Sequence, residues 1–404
     1  MNPLLISGFG TSINVEKSKL IIQNKLNNTK YEFYPHKINH DNIILDNHSG
    51  NISFDAIKWL LKHDIQISIL NWNGNLLGIT LPESPKLGNL RIKQYQKYLD
   101  NKIRYQIAEN IVFAKVQSSF NLLKELSKFY LIDIDKIKTE FEAELGSYLD
   151  KLKKYQSFAN LLSYEGRIAQ VYFDALGTIF AKISPKFNFE TRKGKESNRN
   201  YNAADEINAL LNYGYAILES EIKKTVNSVG LDPAIGYLHE IYPSKTPLIY
   251  DIQELFRWII DLSVIQLLQN HKLNKSDFIL TENYNIRLKE HVASHFILKI
   301  KDNFNTKVPY NGKRYHYHNI LSDNILKLAH FIEDKNNKIE FNVPNIMILR
   351  NDTLNLQDKI LKMTSSQRKR LGINKSTLFY MRKNIINGKN IKIYDKTLSK
   401  LNLE

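Results

Sequence analysis

The stretch GYLHEIYPSKTPLIYDIQELFRWIIDL, residues 236–262, sets a histidine ahead of two acids: His239, then Asp251 and Glu254. An imidazole and two carboxylates are groups that bind a hard cation or move a proton. Helical spacing puts Asp251 and Glu254 on one face of a helix beginning near Tyr250, with Arg257 and Asp261 continuing it. Ile252, Leu255, Phe256, Ile259 and Ile260 form the buried stripe of that helix. Such a face also reads as the solvated side of an amphipathic helix, with Glu254 and Arg257 as a weak surface pair. Two details favour chemistry. Asp251 is expected in the first helical turn, where a carboxylate is favoured. Pro243 and Pro247 stiffen the loop that returns His239 to the same neighbourhood.

A third acid, Glu165, stands in YEGRIAQVYFDAL, an otherwise largely apolar helical run. An acid so placed is costly unless it is paired or coordinates a metal. With His239 and Glu254 it would make a sulfur-free set of two carboxylates and one imidazole, suited to Mg²⁺ or Mn²⁺. No spacing rule joins Glu165 to a histidine so far along the chain. From the residues alone, the metal site and the solvated face both stand.

The elements that must position these groups fall into three blocks. Residues 1–84 read as a small β domain with one helix. NPLLISG, SKLIIQN, KYEFYPH, NIILDN and DIQISILNWNGNLLGITLP are β-prone, and Asn73-Gly74 signals a hairpin. Ser53 caps a short helix whose apolar stripe is Phe54, Ile57, Leu60 and Leu61. After Pro82, Pro85 and Gly88 the period changes. Residues 85–345 read as a larger all-helical catalytic domain, with helices over 89–117, 118–130, 133–150 and 155–181. A further helix ends at Gly230, and others span 250–270, 284–302 and 314–333. Residues 184–206, polar and basic, read as an exposed loop. The fold class is therefore α+β.

Residues 350–404 form the third block. From Lys359 onward twelve Lys or Arg face two acids, so this segment carries +10 of the formal +16. Ser365 or Ser366 caps a short helix to Leu371, Gly372 turns the chain, and Asn374 caps a second helix from Lys375 to about Ile386. This is helix-turn-helix spacing, with Leu371, Ile373, Leu378 and Met381 between the helices. Lys375, Ser376, Tyr380, Arg382 and Lys383 are the residues it would offer to DNA. An inert, lysine-rich surface is the plain alternative.

Composition narrows the classes. The 404 residues contain no cysteine, which excludes disulfides, thiolate chemistry and sulfur-ligated metals. No stretch has the roughly 20 apolar residues of a membrane span, and the first residues lack a signal-peptide pattern, so a cytoplasmic protein is expected.

Beyond these residue-level arguments, YEGRIAQVYFDAL, NAADEINALLNYGYAILESEIKKTVNSVGLDPAIGYLHEIYPSKTPLIYDIQELFRWIIDL and ISFDAIKWLLKHDIQISILNWNGNLLG resemble the CRISPR-associated integrase/endonuclease family of spacer acquisition. The resemblance covers roughly residues 1–345. It implies Glu165, His239 and Glu254 as metal ligands, Asp251 as the accompanying acid, and Asn208 and Asn212 as supports of the site. It also implies a homodimer formed through the β domains, and a smaller adaptation partner protein in CRISPR systems. The basic C-terminal extension is similar to that of casposases, transposon-encoded relatives that insert element ends into DNA. The expected activity is a metal-dependent joining of a DNA 3′-hydroxyl end to a double-stranded target, as dimer or tetramer on DNA. Arg167, Lys245 and Arg257 are candidate phosphate contacts, with the loop of Arg192, Lys193 and Lys195 a weaker one. The alternatives are spacer insertion into a repeat array, a non-catalytic DNA-binding architectural protein, and an RNA-processing nuclease.

Overall fold

The structure, a computed structural model, describes residues 1–24, 28–47, 49–71, 74–83, 85, 87–130, 132–189, 192, 205–280, 286–348, 360, 363, 368 and 372–386. The chain divides into two compact units, Met1–Ile346 and Met347–Glu404. The fold is α+β.

The first unit opens with two four-stranded sheets. One runs β1-β5-β7-β8, formed by β1 (Pro3–Gly8), β5 (Asn42–Asn47), β7 (Gln66–Leu70) and β8 (Leu76–Thr80). The other runs β4-β3-β2-β6, formed by β4 (Thr29–Phe33), β3 (Lys19–Asn24), β2 (Thr11–Glu16) and β6 (Gly50–Ile52). In the first sheet β1, β5 and β7 are parallel, and β8 returns antiparallel to β7 across the expected hairpin. Gly74 takes φ +82° there, while Asn73 lies outside the described residues. Strands β2 and β6 are additions to the sequence reading; TSINVE and GNI are too polar to signal strands by composition.

Helix α1 (Phe54–Lys62) is capped by Ser53, whose hydroxyl accepts from the Ala56 N–H. Its expected stripe needs correction. Ala56 and Leu60, one turn apart, face the sheets with Trp59, whereas Phe54 is 82% exposed. Trp59 fixes that rotation by donating from Nε1 to the Ser18 carbonyl. Ala56, Trp59 and Leu60 close a core with Ile6, Ile13, Leu20, Ile22, Ile43 and Ile67.

Alternation along β5 and β7 turns Ile43 and Ile67 to that core and Asn42, Gln66 and Ser68 to the opposite side. There, polar groups tie the sheet to α6 (Glu206–Val229). Gln66 donates to Ser68 Oγ and to the Ser220 carbonyl, Ser68 to Asn42, and Asn42 to Glu221. Asp46 accepts from Arg287 and Tyr213. Buried hydrogen-bonded groups of this kind favour one orientation of sheet and helix.

The helical part begins with α2 (Gly88–Leu99) and α3 (Asn101–Leu126), not with breaks at 117 and 118. Asp100 accepts from the Lys102 and Ile103 N–H groups, so a new helix starts there. Then follow α4 (Ile134–Lys154), α5 (Phe158–Ile183), α6, α7 (Pro247–Glu254), α8 (Arg257–Asn270), α9 (Glu290–Phe304) and α10 (Tyr317–Ile332). The expected helix over 250–270 is two helices, interrupted at Leu255–Phe256. Gly230 ends α6 in the left-handed conformation, φ +87°. The helical part also carries two short hairpins that the all-helical expectation omits. They are β9 (Phe278–Leu280) with β10 (Ile286–Leu288), and β11 (Lys307–Tyr310) with β12 (Lys313–His316). No described helix is long and apolar enough to cross a membrane.

In the second unit, α11 (Lys375–Ile386) has the predicted bounds, and Gly372 takes φ +60°. Ile373, Leu378 and Met381 are buried. The expected first helix of the pair lies almost wholly outside the described residues, as does most of the basic tail.

Candidate active site

Three stretches of chain bring Glu165, His239 and Glu254 to one cavity of about 480 Å³. Glu165 comes from α5, capped by Ser157, and Glu254 is the last residue of α7. His239 comes from the connection between α6 and α7. Helix α3 forms a further wall, packing on α5, α7 and α8.

Asp251 organises the histidine. Its carboxylate is fully buried and accepts four hydrogen bonds from consecutive residues. Oδ2 accepts from the Tyr237 and Leu238 N–H groups, the latter at 3.1 Å. Oδ1 accepts from the His239 N–H at 2.9 Å and lies 2.8 Å from His239 Nδ1. A carboxylate can only accept, so Nδ1 carries a proton, and in the neutral ring Nε2 is the nitrogen with the lone pair. The expectation that Asp251 lies in the first turn is corrected. That turn starts at Pro247, and Asp251 is held by the loop it binds rather than by the helix terminus. Gly236 permits the close approach: a Cβ there would stand 2.7 Å from the Pro247 carbonyl carbon and 3.0 Å from Asp251 Oδ2. Burial disfavours the imidazolium, but the hydrogen bond and charge of Asp251, with Glu254, outweigh it and raise the His239 pKa.

The two glutamates meet on a lysine. Lys115 of α3 bonds to Glu165 Oε1, and its ammonium lies 2.6 Å from Glu254 Oε2. Burial opposes the ammonium, yet the charges of Glu254 and Glu165 raise its pKa above the ordinary lysine value. Burial likewise opposes the Glu254 carboxylate, but Lys115 and Arg257 bring its pKa down to about 2. Glu254 closes α7, where the dipole disfavours an anion; Arg257, opening α8, lies 3.2 Å from Glu254 Oε1 and offsets this. Neither Asp251 nor Glu254 belongs to a solvated face, since both are buried.

Two arginines share the cavity. Arg257 lies over the Tyr215 ring at 4.1 Å, and Arg192 approaches the same ring at 5.2 Å. Arg192 donates to Asn208 Oδ1 at 2.6 Å and to Asn212 Oδ1 at 2.9 Å. Both asparagines therefore hold an arginine at the cavity. Burial lowers the Arg192 pKa. Beneath them Asp261, 1% exposed, accepts from Tyr172 and Tyr215, each at 2.6 Å.

Other sequence candidates lie elsewhere. Arg167 pairs with Glu144 at 3.2 Å and donates to Ser163, and does not line this cavity. Lys245 is exposed in the turn that its N–H closes onto the Tyr242 carbonyl. In the second unit Lys375, Ser376, Tyr380 and Lys383 are exposed, whereas Arg382 turns inward, donating to the Ile360 and Met363 carbonyls. Lys193 and Lys195 lie outside the described residues. Sequence reasoning missed Lys115. Its signal was the one that marked Glu165, a single charge inside an apolar helical run, here IVFAKVQSSF.

Among the described residues no three His, Asp or Glu side chains close on a common ion position. The Lys115 ammonium is the cation that Glu165 and Glu254 already share. The donor set nevertheless fits a hard divalent ion. The two carboxylates converge on one positive charge, which lies 2.6 Å from the buried Glu254 Oε2, and the neutral form of His239 offers Nε2 as a ligand.

Comparison with known proteins gives first a class. A solved structure described as a casposase bound to integration product superposes with TM-score 0.76 at 35% identity, covering 90% of this chain and 99% of that one. The CRISPR-associated endonuclease Cas1 1 of Archaeoglobus fulgidus is 27% identical over 333 residues, 79% of this chain and 92% of its own length. A Cas1 protein from Thermotoga maritima shares the fold, with TM-score 0.67 at 19% identity, covering 84% of this chain and 99% of that one. The class is that of Cas1/casposase-like integrases and nucleases. The family model for CRISPR associated protein Cas1 matches residues 4–302, and the chain belongs to the Cas1 family.

Proposed function

We propose that this protein is a metal-dependent DNA integrase, joining a DNA 3′-hydroxyl end to target DNA by exchange of phosphodiesters. The observation that carries this reading is the convergence of Glu165 and Glu254 on one positive charge beside His239. Glu165, Glu254 and His239 Nε2 would hold Mg²⁺ or Mn²⁺, which supplies Lewis-acid polarisation of the scissile phosphate and eases deprotonation of the attacking hydroxyl. The chain's own residues do the rest. Asp251 holds His239 in the Nδ1-protonated form and fixes the ring's direction. Arg192 and Arg257 offer planar, charged donors to the non-bridging phosphate oxygens, where charge builds in the transition state. Asn208 and Asn212 position Arg192. As the donor 3′-oxygen bonds to phosphorus, the target 3′-oxygen leaves with a proton, so the number of phosphodiesters is unchanged. Water in place of the 3′-hydroxyl gives nicking.

Insertion of mobile-element ends is the reading we favour. Its support is the 35% identity to a casposase over 90% of the chain, together with the basic segment from Lys359. Spacer insertion into a repeat array, beside a smaller partner protein, is the second reading, supported by the family match. In either, residues 1–84 serve dimerisation, 85–345 catalysis and 350–404 DNA binding.

The test is a joining assay with Mn²⁺, a plasmid target, and donors ending in a 3′-hydroxyl or a 3′-deoxy sugar. Joining is expected from the 3′-hydroxyl donor alone. His239→Ala is expected to abolish joining while DNA binding persists; full joining by that variant would remove His239 from the mechanism. Binding without joining or nicking in the unmodified protein would leave an architectural role. Cleavage of RNA without DNA joining would assign it to RNA processing.

A further inference from the structure

We propose that Lys115 is the site's resident cation: its ammonium holds Glu165 and Glu254 together in the metal-free protein, and a divalent ion binds by displacing it. The inference rests on the metal-dependent reading above and extends it to a residue which that reading does not use.

Two carboxylates converging in a partly buried cavity repel each other and lose hydration, so their meeting needs a compensating positive charge. Here the Lys115 ammonium lies 2.6 Å from Glu254 Oε2 while also bonding Glu165, so one cation holds both carboxylates. The backbone that carries the ammonium is fixed, while its side chain is free to swing. Lys115 lies mid-helix on α3, and Ser118 Oγ donates to its carbonyl. With Lys115 in this position the carboxylates have one positive charge to share, and a divalent ion would have to take that same place. Its entry must break both lysine pairs, so the measured metal affinity is the intrinsic affinity reduced by the cost of moving the ammonium. The lysine chain is flexible and strongly hydrated, unlike a guanidinium fork, and so is well suited to leaving. The displaced ammonium stays on the wall of a cavity already lined by Arg192 and Arg257, where an anionic substrate would meet it.

The experiment measures Mn²⁺ binding by calorimetry and by the electron paramagnetic resonance of free Mn²⁺, without DNA, on the full chain. Unmodified protein, Lys115→Met, Lys115→Arg and His239→Ala are compared. Lys115→Met removes the competitor and should tighten Mn²⁺ binding about tenfold or more. Its metal-free form should melt below the unmodified protein, with the gap closed by Mn²⁺. Lys115→Arg keeps the charge and can bind both carboxylates at once, so it should weaken Mn²⁺ binding several-fold; it also serves if the methionine variant does not fold. His239→Ala should weaken binding. Weaker or unchanged binding in Lys115→Met, or unchanged binding in Lys115→Arg, would overturn the proposal while the metal site stands. Absence of Mn²⁺ binding by the unmodified protein would instead overturn the metal reading beneath it.

Discussion

Replacing Asp251 by asparagine would keep the side chain's shape and remove the charge that four donors share. An amide offers one acceptor oxygen, and its NH₂ would face N–H groups across a buried contact. The loop carrying His239 would loosen and the Nδ1 proton would lose its partner. Asp251→Asn is therefore expected to weaken Mn²⁺ affinity roughly 10- to 100-fold, as losses of a histidine's supporting carboxylate typically do. It should also lower the melting temperature. Calorimetry and thermal denaturation check both, and a melting point unchanged alongside unchanged affinity would deny Asp251 its positioning role.

Among the elements, the α6–α7 connection and the helices behind it depend on two close approaches. Gly236→Ala would push a methyl against the Pro247 backbone and Asp251 Oδ2. Backbone cannot yield as a side-chain tip can, so joining should fall sharply under Mn²⁺, with a smaller loss of stability. At Gly214 on α6 the added methyl would stand 2.4 Å from Ile260 Cγ2 and 3.0 Å from Phe296. Gly214→Ala should cost about 1–3 kcal/mol by overpacking, read by urea denaturation. Helix α10 carries a different sensitivity. His318 has its pKa lowered to about 4, first by burial and then by the N-terminal ammonium, and its Nδ1 is buried without a hydrogen bond. Because the folded pKa lies below the ordinary value near 6.5, the unfolded chain binds more protons between these limits. The contribution is complete above pH 6.5 and is lost as pH falls toward 4. His318→Asn should flatten the fall of melting temperature across that window, relative to the unmodified protein.

At the scale of the whole molecule, charge is uneven. The segment from Lys359 holds +10 of the formal +16. Removing residues 347–404, the second compact unit, should weaken binding to duplex DNA and reduce the slope of log affinity against log salt, because fewer counterions are released. Fluorescence anisotropy at several salt concentrations reads both; an unchanged slope would return the tail to an inert surface. Within that unit Lys383→Ala should reduce the slope more than Arg382→Ala, since Arg382 is spent on the Ile360 and Met363 carbonyls.

Local chemistry made much of this protein legible. Ser53, Gly230 and the bounds of α11 follow from capping and turn rules that act within a few residues. Apolar periodicity located α5 and α6 and marked Glu165 as an acid out of place. The sequence residues alone left Glu165 unconnected to His239, and the resemblance to a family supplied that link. The break between α7 and α8, the outward turn of Phe54 and the start of α3 at Asp100 depend on which neighbour each residue meets. So does the role of Asp251: its spacing from Glu254 suggested a shared face, but the returning loop claims all of its lone pairs. The meeting of Lys115, Glu165 and Glu254 brings together charges from three helices. Electrostatic energy depends on distance and burial rather than on order along the chain, and only the tertiary structure sets those two quantities.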